Sequence, residues 1–398
     1  MKKLLILGGD HFTIPVVEAA KKQGYYTITC DYLPDNVAHK CSDEYVNFST
    51  TDKEGILSWA RNKKIDGIVT LTDSGEVTCA YVAHHLGLPM TGPLESVEIL
   101  QNKDKFRKFL ADNNFNVPKA KGYSNIEEAI VDKDIFDWPI IVKPVDSAGS
   151  KGVTKVEHTE NLKEAINYAL DFSPSKRFII EEFIEKEGCS SDSDCFSVNG
   201  EMRVVSFSSQ YFDENAVGIY TPAAFSWPTT MSIQACNELK EELQRLLELL
   251  QMRTSIYNVE TRVGINGKPY IMEVSPRGGG NRLAEMVRYS TGVDMITAAV
   301  RAAVGDDICL SEEDINGYWA EIILHADNTG IFDKLIIDPS ISKSYVQHVD
   351  LWVNKGDHVE AFSGANKAIG TMVMRFNEID IMETMIKNQR EWLKVVTK

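Results

Sequence analysis

The chain has 398 residues, enough for two or three domains, and its 43% hydrophobic and 25% charged content is that of an ordinary folded globular protein. Acidic residues number 58 against 42 basic, and the resulting net charge of -16, with no strong basic patch to offset it, argues against a nucleic acid partner. The seven cysteines, at 30, 41, 79, 189, 195, 236 and 309, form no CxxC pair and are odd in number, which disfavours zinc, redox-motif and disulfide-scaffold readings and suits a reduced, cytoplasmic chain.

Met1-Lys2-Lys3 carries the charge of a signal peptide, but the apolar run that follows, Leu4-Leu5-Ile6-Leu7, ends at once in Gly8-Gly9-Asp10. That run is too short for an export segment and suits a buried strand. No stretch of 18 apolar residues exists, so no membrane span is expected. Residues 3–7 read as a strand, 14–23 as a helix closed by Gly24, and 26–30 as a strand ending at Asp31. Residues 55–62 read as a helix, 67–71 as a strand and 77–86 as a helix stopped by Gly87. Strands alternating with helices predict an open parallel sheet covered on both faces. The GxGxxG fingerprint is absent at Gly8-Gly9-Asp10, and Asp10 would face any pyrophosphate, which disfavours a dinucleotide site there. Asp31 reads either as a ribose contact or as a turn residue facing a cleft at the strand ends.

A helix over 102–113 leads to a break at Pro118. Beyond it come a strand at 138–144, a glycine-rich segment, a helix at 161–169 and a strand at 177–183. Residues 195–208 predict a hairpin turning at Asn199-Gly200, 237–252 a long helix, and 255–262 with 269–274 a second hairpin turning at Asn266-Gly267. This mixture of hairpins and helices is α+β. The tail from about 333 onward reads as short strands with turns at Gly356 and Gly364, and no internal repeat is present.

Three segments bear chemistry. In Ser147-Ala148-Gly149-Ser150-Lys151-Gly152, small residues around glycines allow backbone N–H groups to curl around phosphate oxygens, with Lys143 just upstream on an apolar strand. Alone, the segment fits a surface turn as well as a phosphate loop, and it is not a Walker A motif. In Arg177-Phe178-Ile179-Ile180-Glu181-Glu182-Phe183-Ile184-Glu185 an apolar strand runs into carboxylates, which fits a core strand ending in a solvated loop as well as a nucleotide hinge. The third segment says more. If the strands around Asn266-Gly267 pair, Glu260 faces Glu273 across the ladder, and opposed carboxylates repel unless protonated or bridged by cations. Magnesium favours carboxylate and phosphate oxygens, so the pair predicts a metal-nucleotide site. Arg277 and Arg282, separated by Gly278-Gly279-Gly280-Asn281, can supply donors to a transferring phosphoryl group.

The ordered set Asn102-Lys103 with Phe106, Lys143-Pro144, the loop 147–152, Glu181-Glu182-Phe183-Ile184, Glu260 and Glu273-Val274-Ser275-Pro276-Arg277 resembles the ATP-grasp enzymes, over roughly residues 1–300. The branch it is similar to holds biotin carboxylase, carbamoyl-phosphate synthetase and amino-acid ligases. The resemblance implies an α/β and α+β ATP-grasp fold with an N-terminal open parallel-sheet domain. Its expected parts are a pre-ATP-grasp domain at 1–115, a small subdomain with the glycine-rich loop at 116–200, a large subdomain with the metal site at 201–310, and a C-terminal extension at 311–398.

The resemblance also implies roles. Lys103 and Lys143 would contact ATP phosphates or the base edge, and Ser147, Gly149, Ser150, Lys151 and Gly152 would cover the β- and γ-phosphates. Glu181, Glu182, Phe183 and Ile184 would form the hinge beside adenine, with Glu187 as the nearest candidate for the ribose. Glu260 and Glu273 would bind Mg²⁺ (or Mn²⁺), joined by Ser275, which stands where the family commonly has asparagine. Arg277 would stabilise an acyl phosphate, and Arg282 would hold a substrate carboxylate.

The activity so implied is an ADP-forming carboxylate–amine ligase acting on small molecules, with a homodimer expected. Two alternatives follow from the same resemblance. One is a bicarbonate-activating carboxylase, a carbamoyl phosphate-forming enzyme or a purine-biosynthesis-like enzyme acting on a ribosylamine; the other is a non-catalytic ATP-binding protein. No biotinyl or glutaminase segment is present in this chain, and Lys143, Glu260, Glu273 and Arg277 are all retained. The stretch 210–230, with Tyr211, Phe212, Tyr220, Phe225 and Trp227, reads as part of a substrate pocket or as a packed lid.

Overall fold

The computed structural model of the protein describes residues 1–310 and 317–398. The expected start of the C-terminal extension at 311 lies outside the described residues. The first unit alternates β1 (Lys3–Leu7), α1 (Ile14–Lys22), β2 (Tyr26–Cys30), β3 (Glu44–Val46), α2 (Lys53–Lys63), β4 (Gly67–Thr70) and α3 (Glu76–Leu86). Its sheet has the order β3-β2-β1-β4 and every pairing in it is parallel. The apolar run Leu4 to Leu7 is buried on both faces, as a strand between two helix layers requires.

Helices α4 (Leu94–Leu100) and α5 (Lys103–Asp112) lead into a four-stranded antiparallel sheet. Its order is β5 (Ala120–Tyr123), β8 (Phe178–Glu182), β6 (Ile140–Pro144), β7 (Thr154–Val156), and α6 (Ile126–Val131) and α7 (Leu162–Asp171) cover it. Next come β9 (Ser191–Val198), β10 (Glu201–Val205), β11 (Ser209–Phe212), β12 (Pro222–Trp227), α8 (Ile233–Leu249), β13 (Ser255–Val263) and β14 (Pro269–Ser275). Strands β10-β9-β13-β14 form the second antiparallel sheet, whose back is packed on α4, α5 and α8. Both expected hairpin turns are present. Asn199 and Gly200 take φ of 53° and 83°, and Gly267 takes 73°, the left-handed geometry that a tight hairpin turn demands.

The unit boundaries depart from expectation at two places. Strand β9 starts at Ser191, so the second sheet begins before residue 200 and the β9–β10 hairpin belongs with β13 and β14. Strands β11 and β12, inside the expected 201–310 segment, join a five-stranded sheet with C-terminal strands, in the order β11-β12-β15-β19-β17. Here β15 is Tyr318–Leu324, β17 is Val346–Leu351 and β19 is Gly370–Phe376. The tail is therefore woven into the body of the molecule, because hydrogen bonding across β12 and β15 takes no account of sequence distance. Helices α9 (Leu283–Thr291) and α10 (Met295–Ala303) pack α9 against β9 and β15 and α10 against α1 and β4, tying the three units together.

Candidate active site

The cleft-facing side of the second sheet is set by strand register. Residues directly opposite one another across a ladder point to the same face. Glu260 lies opposite Glu273 on β14 and opposite Asp192 on β9. Asn258 lies opposite Ser275 and Asp194. Two rows of polar side chains thus cross the sheet, and the first consists of three carboxylates. A bulge shifts the register between Glu260 and Thr261, so the pairing expected from the turn holds at Glu260 and Glu273 although the strand beyond is displaced by one residue.

These carboxylates differ in surroundings. The Glu260 carboxylate has no hydrogen bond or ion pair among the described residues. Burial, and then the negative charge of Glu260, push the Asp192 carboxyl up to about 8. Burial pushes Asp194 up to about 7, although the Gly279 amide donates to it at 2.8 Å. Asn258 Nδ2 bridges the two, donating at 2.7 Å to Asp192 and at 3.2 Å to Asp194. A divalent cation would relieve the repulsion in this row, and hard oxygen donors on one face with a free carboxylate at the centre fit magnesium.

A cationic wall stands beside the row. Asn102 caps α5, accepting from the Lys105 amide at 3.2 Å, and so fixes Lys103 at the helix entry. The Lys103 ammonium lies 3.3 Å from Glu273 and donates to the Ser147 carbonyl at 3.0 Å. Lys143 on β6 lies 2.7 Å from Glu181 on β8, and Arg107 of α5 reaches the same carboxylate at 3.0 Å. Arg107 also donates to the Met272 carbonyl at 2.8 Å, which anchors β14 next to Glu273. Burial by itself would raise Glu181, but Arg107 and Lys143 outweigh it and hold the carboxyl down to about 2. Lys143 is pushed down instead, because burial and the neighbouring cations outweigh its share of that one carboxylate. Lys103 is raised: burial opposes its charge, but Glu273 and Asp73 together prevail.

The glycine-rich segment begins beside this wall, where the Ser147 carbonyl accepts from Lys103. Gly149, Ser150 and Gly152 take φ of 69°, 60° and 73°, so three of its residues are left-handed. Ser150 donates through its hydroxyl to the Tyr220 carbonyl at 3.3 Å, while Gly149, Ser150 and Lys151 are exposed. With so few contacts, amide exchange over 147–152 is expected to be fast in the ligand-free protein and to slow with MgATP. Exchange unchanged by MgATP, followed by mass spectrometry, would remove this segment from the phosphate site. Just past β8, the Phe183 ring packs under Lys155 at 4.4 Å and the Ile184 carbonyl accepts from Arg262 at 3.2 Å. Glu182 accepts from the Asp137 amide at 2.9 Å, and Glu187 is exposed.

The two arginines occupy different places. Arg277 is gripped by Asp73 and Glu76 of the first unit, with Nε 2.9 Å from Asp73 and 3.4 Å from Glu76, and these carboxylates raise it further although burial opposes its charge. Arg282 makes a two-pronged pair with Glu285 at 2.9 Å for each contact. Ser275 is buried and accepts from Gln101 at 3.4 Å, and Gln101 also donates to Glu76 at 2.6 Å.

The structure therefore brings Lys103, Lys143, Glu181, Glu260, Glu273 and Ser275 to one cleft. Among the described residues the Glu187 side chain makes no hydrogen bond or ion pair, and Arg277 is tied to the first unit. Sequence reasoning missed Asp73, Glu76, Arg107, Asp192 and Asp194. The spacing Asp192-Ser193-Asp194 was the available signal, since it places two carboxylates on one face of a strand once that strand is drawn from 191. Asp213, His325 and Asp327 form another group of metal-ligand type, but Arg390 already bridges the two carboxylates. A groove of about 1200 Å³ along α8, lined by residues such as Glu201, Lys240 and Gln244, includes none of the residues above.

Residues 100–281 match the ATP-grasp domain family. Over 321 residues the chain is 26% identical to the carbamoyl phosphate synthase large chain of Thermotoga neapolitana, covering 76% of this chain and 28% of that one. The chain thus spans less than a third of the length of the curated relatives it matches. In fold it is similar to the L-amino acid ligase from Bacillus licheniformis, with a TM-score of 0.84 and 19% identity over 100% of this chain and 99% of that one. It is also similar to phosphoribosylglycinamide synthetase from Anaerococcus prevotii, with a TM-score of 0.78 and 18% identity over 100% of both chains.

Proposed function

Because the chain belongs to the ATP-grasp superfamily, we propose that it uses ATP and magnesium to phosphorylate a carboxylate and passes the acyl group to an amine, releasing ADP and phosphate. The observation that carries this reading is the row Glu273–Glu260–Asp192 set beside Lys103 and Lys143. Glu260 and Glu273, with Ser275 behind them, would hold magnesium, whose charge offsets that of the nucleotide phosphates. Lys103 and Lys143 present their ammonium groups to the phosphate chain, and the 147–152 segment offers backbone N–H groups over it. Phe183 and Ile184 would receive the adenine, next to Glu181, which Arg107 and Lys143 hold in place.

In the first step the substrate carboxylate oxygen bonds to the γ-phosphorus, the bridging P–O bond to ADP breaks, and an acyl phosphate results. In the second the amine nitrogen bonds to the acyl carbon, phosphate leaves with the C–O electron pair, and the nitrogen loses a proton. The protein's part is alignment, charge neutralisation and exclusion of water.

A second reading has bicarbonate as the acid, giving a carboxylated or carbamoylated product, or a ribosylamine as the amine. The carbamoyl phosphate synthase relatives favour bicarbonate, and the phosphoribosylglycinamide synthetase fold favours a ribosylamine. The fold likeness to an L-amino acid ligase favours the organic acid. A screen of acid–amine pairs for ADP and phosphate release, with mass spectrometry of the product, separates them. ADP formation that depends on an organic acid and an amine other than a ribosylamine supports the first reading, ADP formation with bicarbonate alone or only with a ribosylamine supports the second, and AMP release overturns both.

A further inference from the structure

Residues 213–221 join β11 to β12 and touch the glycine-rich segment, where the Ser150 hydroxyl donates to the Tyr220 carbonyl at 3.3 Å. A second stretch reaches the same segment, since a methyl group at Gly364 would come within 3.8 Å of the Gly149 carbonyl oxygen. The two stretches are joined: the Gly218 amide donates to the Phe362 carbonyl at 2.9 Å. A methyl group at Gly218 would lie 2.8 Å from the Ser363 backbone, so the absence of a side chain there lets them close on each other. Residues 213–221 and 362–364 thus make a shelf beside residues 147–152. A buried charge cluster stands at the far end of that shelf. The Asp213 side chain is 4% exposed. Its Oδ1 accepts from the Asn215 amide at 2.9 Å and from Arg390 Nε at 3.3 Å, and its Oδ2 accepts from Arg390 Nη2 and lies 3.2 Å from His325 Nε2. Hydrogen bonding from His325 and Arg390 holds this carboxyl well below the usual carboxylate range, although burial opposes it. The other ring nitrogen of His325 lies 2.7 Å from the Ile323 carbonyl, which fixes the ring in its stack on Phe362 at 4.2 Å and 18°. Arg390, in the short helix Gln389–Trp392, also grips Asp327 at 3.0 and 2.7 Å.

We infer that Asp213 is a positioning residue for ATP: held by His325 and Arg390, it sets the shelf that keeps residues 147–152 over the nucleotide phosphates. The inference rests on the reading of residues 147–152 as the phosphate cover. Asp213 meets partners 112 and 177 residues further along the chain, so the C-terminal strands and helix bear on nucleotide affinity although none of their side chains belongs to the metal row or the cationic wall. Apolar side chains of similar volume would commonly hold such a buried position as well, so the use of this cluster lies in the one geometry it specifies. Gly149, Ser150 and Lys151 are exposed, and ordering them over a ligand costs conformational entropy. A shelf already fixed in place leaves fewer residues to be ordered when the nucleotide binds. The benefit falls on the phosphates alone, because the shelf meets the segment that would cover them and none of the contacts above involves Phe183 or Ile184.

Calorimetric titration of the full chain with the magnesium complex of a non-hydrolysable ATP analogue, and separately with adenosine, tests this role. Asp213→Asn should weaken the analogue about threefold to thirtyfold and leave adenosine within about twofold of wild type. Amide exchange over residues 147–152 in the analogue-bound protein should rise in the same variant. Arg390→Gln should act in the same direction, and Arg390→Lys should recover part of the loss. Equal weakening of analogue and adenosine, unchanged affinity for the analogue, or exchange over 147–152 that stays at the wild-type level overturns the proposal. Should Asp213→Asn fail to fold, two variants decide on the same ratio of analogue to adenosine. They are Arg390→Gln, at a side chain 40% exposed, and Gly218→Ala, which disturbs the shelf without altering the charge cluster. A wild-type chain that binds no analogue removes the ATP reading and this role with it. Wild-type binding of the analogue that none of the variants changes removes this role alone.

Discussion

Glu273→Gln is expected to lower magnesium-dependent ADP formation by about a hundredfold to a thousandfold under saturating substrate, the loss typical of one well-placed electrostatic contact in such a site. The ligand-free protein should melt close to wild type, for two opposing reasons. The change removes the carboxylate opposed to Glu260, which relieves repulsion, and it removes the partner of Lys103, 3.3 Å away. Glu273 is 34% exposed, so that ion pair is screened by solvent and contributes on the order of 1 kcal/mol or less. A solvated hairpin residue would give almost no kinetic effect. Native turnover of the variant at limiting magnesium would take Glu273 out of the metal site.

The second large effect falls on stability. Glu181→Leu should cost about 3–5 kcal/mol, because it strands two buried cations, Arg107 and Lys143, whose side chains are 4% and 12% exposed. Chemical denaturation at pH 7 should show the loss directly. The pH dependence has a definite sign. In the folded protein Arg107 and Lys143 hold the Glu181 carboxyl down to about 2 from its ordinary 4.5, so its contribution is present above the unfolded value and is lost as pH falls toward the folded one. The stability gap between wild type and variant should therefore be constant above about pH 5 and narrow below pH 4.5. A variant as stable as wild type at pH 7 would mean that the cluster is not the clamp between α5, β6 and β8. The effect bears on function too, since Arg107 links Glu181 to the Met272 carbonyl next to Glu273. Loosening this cluster should weaken nucleotide binding as well.

The sites of these two substitutions differ in how far they were legible in advance. Glu273 was placed opposite Glu260 from a turn and a residue count, and that pairing survives the bulge one position further on. Glu181 was legible only as a carboxylate at the end of an apolar strand. That it would share itself between Lys143, 38 residues away along the chain, and Arg107, 74 residues away, was not. The same holds for Arg277, whose carboxylate partners Asp73 and Glu76 lie in another unit.

What the sequence determined by itself is therefore local: the alternation of strands and helices in the first unit, both hairpins with their asparagine–glycine turns, and the order of the lysines, glycines and carboxylates along the chain. Such features follow from bonded geometry, because a short turn sets the register of its two strands and a period of two sets which side chains share a face. Only the tertiary structure decided which charges meet. It placed Asp192 beside Glu260, shared Glu181 between two cations, and wove β11 and β12 into the sheet of the C-terminal strands. Those outcomes depend on how separate layers pack and on where burial strengthens electrostatics, and neither is encoded in the spacing of neighbouring residues.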